Sequence, residues 1–538
     1  TVFGLSNTNL DYAEIIFGDF TGDGNIEIKI SKDTYYHQII IPPKKVNMNN
    51  VIKKIADGIN NIKSFEYEQI TNDEIYDKGE YEPFSNSLTL KSGLSVVSSL
   101  SINPDTDDEI ITSFYYQAAR IHNQGKGFLG FSAITNSRAL SGFSDPTWLN
   151  VRNSYKLVET KSGDFEHFIV VPDSVINRIK REIERDAIYG YETVSESAFS
   201  YDYKNVYCDP DGLVVMPYLI SSTLTDRQKD DLTIISGYEV DDYGNILTEN
   251  INYNGEGTTI IETVYTDNGS WCDYLPDYVT VTKTRNGETP YTNETDYIYR
   301  ADGLPETIRS FMHLANPADE TFGYDDFGNI TSKTISASGE IPRTETFEYD
   351  VKHRFVTEKT NILGYSSFYA YDHRTGNLLN STDIQGLKTI FSYDGFGRKK
   401  GIKYPDGNYT DISRVWNIAG DILFYTQQQT SGAPMQRTFY DKLGREMLSA
   451  YEDYNSNTVY AKTLYDANGR VESVSEPFFE GDTPEQWTTY YYDETGRIEQ
   501  VDFPTHTETT NYVGMTTTVT NLANGISKST TTDAFGLT

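Results

Sequence analysis

The sequence predicts a mainly β protein: a long antiparallel ribbon of hairpins with one minor helical insertion before it. The chain has 42 Tyr and 26 Phe, two residue types that favour strands. Only one stretch of the sequence has the apolar period of an amphipathic helix. Turn motifs return at separations of 11, 11 and 12 residues, starting with Asp372 and continuing at Asp383, Asp394 and Asp406. This spacing leaves about seven residues for each strand.

Three regions follow one another along the chain. We predict a calcium-loop segment in residues 1–45, a β-rich region with one helix in residues 46–235, and the repeats in residues 236–538. The sequence starts at Thr1 and stops within a turn motif, so we expect a fragment of a longer chain.

The first region contains the strongest candidate site, the loop FGDFTGDGNIEI at residues 17–28. A hard cation such as Ca²⁺ prefers several oxygen ligands from one tight loop. The candidate ligands are the carboxylates of Asp19, Asp23 and Glu27, the hydroxyl of Thr21 and the backbone carbonyl of Asn25. We predict a structural Ca²⁺ site and no other cofactor. The alternative is an Asp/Gly turn without a metal.

The middle region contains the helix candidate, DSVINRIKREIERDAI at residues 173–188. Its apolar residues fall on one helical face, and charged residues occupy the rest. Asp173 or Ser174 can cap the N-terminus. The residues of the apolar face are Val175, Ile176, Ile179, Ile183 and Ala187. We predict a helix packed on a sheet, with a partner-binding helix as the alternative.

The repeats centre on a Tyr-Asp turn with glycine three residues after the aspartate. Aspartate at the start of a type I turn accepts hydrogen bonds from backbone N–H groups, and glycine then adopts the left-handed conformation that closes the loop. An aromatic pair on one strand face, such as Phe391 and Tyr393, precedes several turns and predicts aromatic ladders across neighbouring strands. Further copies begin at Tyr324, Tyr440, Tyr465 and Tyr492.

The repeat region is too long for a flat open sheet. At 11 residues per strand it holds about 27 strands, which span roughly 130 Å at a spacing of about 4.8 Å. Open sheets rarely exceed about 10 strands without curling or splitting. We therefore expect the ribbon to coil into a wall around a space. A solid β-solenoid is the alternative, which the hairpin turns disfavour because they require antiparallel pairing.

Composition disfavours several function classes. The chain has 45 basic and 79 acidic residues, a net charge of −34, and this disfavours nucleic acid and anionic membranes as partners. No apolar run approaches the ~18 residues of a membrane span. The two cysteines, Cys208 and Cys272, form no metal-binding or disulfide pattern. The seven histidines are scattered, and no metalloprotease or nucleophile-elbow motif occurs, so we expect no catalytic residue in this segment.

The turn motifs YDGFGR, YDKLGR, YDANGR and YDETGR resemble the YD repeats of rearrangement-hotspot (Rhs) proteins. The stretches at residues 52–71 and 114–131 resemble the middle region of the B component of insecticidal toxin complexes, which plasmid-encoded virulence proteins share. The loop at residues 17–28 resembles an FG-GAP loop of the propeller that precedes that region.

The resemblance implies a ribbon that spirals into a hollow shell around a toxic polypeptide. The implied partners are the encapsulated toxin, either the C-terminal part of the same chain or a C-type subunit, and a pore-forming translocation subunit. The implied location is secreted or at the cell surface. The family's self-cleavage core and toxin domain have no match before Thr538. We therefore expect this segment to form part of the shell wall and not to be an enzyme. The main alternative is a teneurin-like adhesion or glycan-binding protein, and a carbohydrate-active enzyme is a third.

Overall fold

The computed structural model describes most of the chain. The described residues are 14–18, 27–32, 36–40, 51–56, 62–79, 87–102, 109–122, 127–140, 147–162, 165–185, 188–209, 212–266, 274–312, 314–416, 422–466, 468–493 and 496–538.

The chain divides into two compact units, Thr1–Leu219 and Ile220–Thr538. All regular structure in the described residues is β-strand. The predicted boundaries at residues 45/46 and 235/236 stay predictions.

The first unit contains thirteen strands and the start of a fourteenth. They are β1 (Glu14–Gly18), β2 (Glu27–Lys32), β3 (Tyr36–Ile40), β4 (Lys54–Ala56), β5 (Ile62–Gln69), β6 (Tyr76–Asp77), β7 (Ser87–Leu90), β8 (Ser95–Ile102), β9 (Ile110–His122), β10 (Gly127–Leu140), β11 (Thr147–Ser162), β12 (Phe165–Arg185), β13 (Ile188–Asp209) and β14 (Gly212–Asp226). Strands β1–β3 form a separate antiparallel sheet. In the larger sheet the strand order is β5, β8, β9, β10, β11, β12 and β13, and each strand pairs antiparallel with the next. Two short strands also pair with β9: β6 runs parallel to it and β7 antiparallel.

The core of the first unit lies where β6 meets β9. Ile70 and Ala119 are fully buried, and Tyr76 is 1% exposed. The Tyr76 hydroxyl accepts a hydrogen bond from the Ala119 backbone N–H at 3.0 Å and donates one to the Leu90 carbonyl. The buried ring therefore keeps its polar end fully paired, as a buried tyrosine requires.

The predicted helix at residues 173–188 is wrong, because residues 173–185 belong to strand β12. Val175, Ile179 and Ile183 are spaced by four residues, which fits a helical period and also fits the two-residue period of a strand. β12 pairs with β11 on one side and with β13 on the other. The backbone groups thus find partners across two strands, and this non-local pairing overrides the helical propensity.

The second unit continues as a ribbon of 26 further strands. They are β15 (Leu232–Val240), β16 (Ile246–Tyr253), β17 (Gly257–Tyr265), β18 (Pro276–Arg285), β19 (Tyr291–Tyr299), β20 (Pro305–Ser310), β21 (Ala318–Tyr324), β22 (Ile330–Ala337), β23 (Arg343–Tyr349), β24 (Val356–Thr360), β25 (Ser366–Tyr371), β26 (Leu378–Thr382), β27 (Lys388–Tyr393), β28 (Lys399–Lys403), β29 (Tyr409–Trp416), β30 (Phe424–Thr430), β31 (Gln436–Tyr440), β32 (Glu446–Glu452), β33 (Thr458–Tyr465), β34 (Val471–Ser475), β35 (Phe478–Phe479), β36 (Trp487–Tyr492), β37 (Ile498–Asp502), β38 (Thr507–Val513), β39 (Thr516–Asn521) and β40 (Ser527–Thr531).

In this ribbon each strand pairs antiparallel with the next along the chain, except that β33 pairs with both β34 and β35, and β34 with β36. Within the described residues β40 pairs with β39 alone, so the ribbon ends at an edge. The predicted long antiparallel ribbon of hairpins is confirmed.

The ribbon of the second unit is a single layer. Among its described residues, the buried apolar side chains are Ala450, Val459 and Ala534. Most strand residues on both faces are partly exposed. A sheet without a second layer cannot bury a continuous core, so its stability depends strongly on the turns and on contacts along the sheet edges.

Candidate functional site

Only the two ends of the predicted calcium loop, residues 17–18 and 27–28, lie within the described residues. Asp19, Thr21, Asp23 and Asn25 fall in the undescribed stretch 19–26, and Glu27 begins β2. The flanking strands β1 and β2 pair antiparallel, with Gly18 opposite Glu27. The calcium site therefore stays a prediction.

The Tyr-Asp turn at Asp394 shows why the motif has its residue types. One carboxylate oxygen of Asp394 accepts hydrogen bonds from the backbone N–H groups of Phe396 and Arg398, both at 2.9 Å. The other oxygen accepts the Arg398 Nε–H at 2.7 Å. Gly397 donates its N–H to the Asp394 carbonyl at 3.0 Å with a φ of 78°. The predicted roles of aspartate and glycine in the turn are thus those observed.

The same carboxylate contacts recur along the ribbon at Asp241, Asp325, Asp441, Asp453 and Asp466. Two turns depart from the glycine rule: Ser456 takes the glycine position with a φ of 64°, and His353 takes it with a φ of 54°. The His353 ring Nδ1 lies 2.9 Å from Asp325 Oδ2, in the previous Tyr-Asp turn on the same edge of the ribbon. This contact between turns offsets the strain of a left-handed conformation at a residue with a side chain.

Tyrosines at strand ends connect each Tyr-Asp turn to the one before it on the same edge of the ribbon, two turns earlier along the chain. The Tyr492 hydroxyl donates to the carbonyl of Val471 at 2.7 Å, and Val471 is the first residue after the preceding turn. Seven further tyrosines donate in the same way to the first residue of a strand, at 2.7–3.0 Å: Tyr265, Tyr299, Tyr324, Tyr349, Tyr393, Tyr465 and Tyr512. Sequence reasoning gave these tyrosines a packing role only and missed the hydrogen bond.

Arginines add a second connection between turns. The Arg470 guanidinium binds its own turn at Asp466 Oδ2, 2.6 Å away, and lies 4.2 Å from the ring centroid of Tyr492 in the next turn. Arg445 and Arg497 make the equivalent pair of contacts. Cations also cover the predicted aromatic pairs: Lys399 Nζ lies 4.6 Å from the Phe391 ring. Aromatic rings and cationic side chains therefore alternate along the ribbon. The sequence analysis predicted ladders of aromatic rings alone.

The electrostatics of the turns match their contacts. The hydrogen bond from the Arg398 side chain, followed by backbone N–H groups, lowers the pKa of Asp394. The side chain of Asn329 contributes most to the lowered pKa of Asp325. Burial raises the pKa of Tyr299 to about 12. At neutral pH the turns thus keep charged acceptors and neutral hydroxyl donors.

A long-range contact, which we call the seam, joins the final turn (residues 533–537) to strands β16–β18. The Phe535 ring lies 4.4 Å from the Tyr253 ring, and the Arg285 guanidinium lies 4.9 Å from the Phe535 ring centroid. Arg285 also forms an ion pair with Asp533. The Ala534 N–H donates to Glu256 Oε2 at 3.1 Å across 278 residues of sequence.

Two glycines allow this close approach. A Cβ atom at Gly257 would lie 2.6 Å from the Phe535 ring, so only glycine fits beneath it. A Cβ atom at Gly514, in the turn between β38 and β39, would overlap the Asp230 carboxylate in the turn between β14 and β15. The ribbon of the second unit therefore returns to its own start at two points. No local signal in the sequence pointed to these residues, because their partners are more than 240 positions away.

The described residues contain no group of three or more His, Cys, Asp or Glu side chains that could hold a metal ion. They also include no helix long and apolar enough to cross a membrane.

The comparison with protein families agrees with the turn geometry. The family model for the RHS repeat matches residues 371–409. Residues 371–409 therefore match an RHS repeat. The matched RHS stretch includes the turns at Asp372, Asp383, Asp394 and Asp406, which have the 11- and 12-residue spacing. No curated protein matches the chain at a significant level.

Solved structures with a similar fold cover nearly all of the chain. A crystal structure titled TcdB2-TccC3-Cdc42 has a TM-score of 0.67 at 10% identity, covering 98% of this chain and 39% of that one. TcdB2-TccC3 without its hypervariable C-terminal region has a TM-score of 0.65 at 9% identity, covering 99% and 39%. A Tc holotoxin pore of Photorhabdus luminescens with a substituted TccC3 has a TM-score of 0.66 at 9% identity, covering 98% and 38%.

At these identities the likeness establishes the fold. The chain spans about two fifths of the length of those proteins. The predicted resemblance to the toxin-complex B component is confirmed at the level of RHS repeats and fold.

Proposed function

We propose that the chain is a wall segment of a secreted or cell-surface toxin-complex shell, which encloses a cytotoxic polypeptide and helps to deliver it. The observation that carries the proposal is the seam, because a ribbon that returns to its own start surrounds a space. About 22 strand-to-strand steps separate β17 from β40, a path of roughly 105 Å at about 4.8 Å per step. A circular path of that length is roughly 30 Å across.

A space of this width suits a polypeptide better than a small molecule. A folded domain of 100 residues has a radius of gyration of about 13 Å and is therefore roughly 34 Å across, so the space would hold a smaller or incompletely folded polypeptide. The single-layer ribbon supports the same role, because its inner face is free to contact cargo instead of packing on a second sheet. In this role the chain acts as a steric barrier and needs no catalytic residue of its own.

The similar structures suggest the partners. They are TcdB2 in complex with TccC3 and a Tc holotoxin pore. We propose that the cargo is the C-terminal continuation of this chain or part of a C-type subunit, and that a pore-forming subunit receives it. The net charge of −34 favours a basic cargo.

The test is protease protection of a cargo. A protease-sensitive reporter domain is fused after residue 538, and its rate of cleavage by trypsin is compared with that of the free reporter. We expect cleavage at least ten-fold slower in the fusion, and fast again when Phe535→Ala opens the seam. Phe396→Ala is the matched control, since Phe396 has the same place in its turn but is 87% exposed.

Equal cleavage of the fused and free reporter would count against encapsulation. The teneurin-like adhesion alternative predicts that outcome together with binding on a glycan array.

A further inference from the structure

A polar cavity of 490 Å³ lies in the first unit, on one face of strands β9–β12. Ala118 and Ala133, which are 9% and 2% exposed, form part of its lining. Three cationic side chains also line it: Arg120 from β9, and Arg152 and Lys156 from β11. The small polar residues Ser87, Thr89, Ser132 and Ser154 also line it.

This cavity carries positive charge in a chain whose net charge is −34. Among the described residues that line it, the one acidic residue is Asp173, which lies 4.0 Å from Lys156 Nζ. Lys156 also binds Asp202 at 3.0 Å, and that hydrogen bond lowers the pKa of the Asp202 carboxyl. Lys156 is therefore held in place by two carboxylates, and its charge is largely compensated.

Arg152 differs from Lys156 in its ion pairs, and no acidic residue lies opposite it on the adjacent strands. Its neighbours across the two adjacent strands are Thr135 and Ile176, neither of which is acidic. By contrast, Arg178 and Arg181 on β12 each form an ion pair with a glutamate of β13. The described residues give Arg152 no ion pair, and its Nε–H lies 3.4 Å from Ser154 Oγ.

The geometry points to a binding site for the phosphate group of a small organic phosphate. Guanidinium groups bind phosphate oxygens through paired N–H donors. The hydroxyl groups of Ser87, Thr89 and Ser154 offer further donors for a tetrahedral anion with several oxygens, whereas the Ser132 hydroxyl donates to the Gln117 carbonyl. The volume lies within the 300–1,000 Å³ range of small-molecule sites, so it leaves room for an organic part next to the phosphate. A carboxylate, with two oxygens, would use fewer of these donors.

The experiment titrates the 538-residue chain with inorganic phosphate by calorimetry, at an ionic strength held constant with sodium chloride. Acetate and a sugar phosphate are titrated in parallel. We expect saturable phosphate binding, tighter binding of the sugar phosphate, and weaker binding of acetate. Arg152→Gln should weaken phosphate binding at least ten-fold.

Arg138→Gln is the matched control. Arg138 lies on β10 of the same sheet, has no ion pair among the described residues, and does not line the cavity. It should leave phosphate binding unchanged. The proposal is overturned if the unmodified chain shows no saturable heat with phosphate, if acetate binds as tightly, or if both variants weaken binding equally. The titration of the unmodified chain decides the matter even where a variant fails to fold.

Discussion

The seam can be tested by removing its central ring. Phe535→Ala deletes the ring that packs between Tyr253 and Arg285 above Gly257. A buried aromatic side chain removes at least about 150 Å² from water, and at about 25 cal/mol per Å² this is worth nearly 4 kcal/mol. Phe535 remains partly exposed and alanine keeps one methyl group, so we expect a loss of about 2–3 kcal/mol.

The loss should be local. Unfolding of the final turn alone releases the seam without melting the ribbon, because strands along the sheet pair mainly with their neighbours. Hydrogen exchange measured by mass spectrometry should therefore show faster exchange at Ala534 and around Glu256, with the turn at Asp394 unchanged. Phe396→Ala should change the free energy of unfolding by less than about 0.5 kcal/mol, as an exposed side chain does. Equal exchange in the two variants would refute the seam as a stabilising contact.

Four further predictions concern the turns and the calcium loop. Gly397→Val places a β-branched residue at a φ of 78°. In urea titrations this change should lower the free energy of unfolding by about 1–2 kcal/mol. Gly395→Ala is the control and should be tolerated, because the space around Gly395 is open. Tyr492→Phe removes the hydroxyl that bonds to a carbonyl and should destabilise by about 1 kcal/mol; an equal effect of Tyr490→Phe would contradict the assigned bond. The turn carboxylates with a lowered pKa stabilise the fold above their unfolded pKa of about 3.9, so the free energy of unfolding should fall as the pH drops below about 4 towards the folded pKa values. If loop 19–27 binds Ca²⁺, excess chelator should lower the melting temperature and added Ca²⁺ should restore it. A melting temperature that changes with neither addition would argue against the site.

The sequence determined the turns and therefore the strands between them. Aspartate and glycine act within four or five residues, through carboxylate-to-backbone bonds and a left-handed φ, so their chemistry is readable without any distant partner. The RHS match at residues 371–409 and the φ of 78° at Gly397 follow from that local chemistry. Even the arginine after the glycine has a local reason, since it binds the aspartate of its own turn.

Only the tertiary structure decided the features that depend on distant partners. Residues 173–185 form a strand because β11 and β13 pair with both of its edges, although the four-residue spacing of their apolar side chains suits a helix equally well. Phe535 and Phe396 occupy the same position of the same motif, yet one packs in the seam and the other is exposed. Arg152 carries its charge into a cavity built from several strands. A turn is fixed by neighbours in sequence, whereas a contact across 278 residues depends on how twist and register accumulate over the whole ribbon.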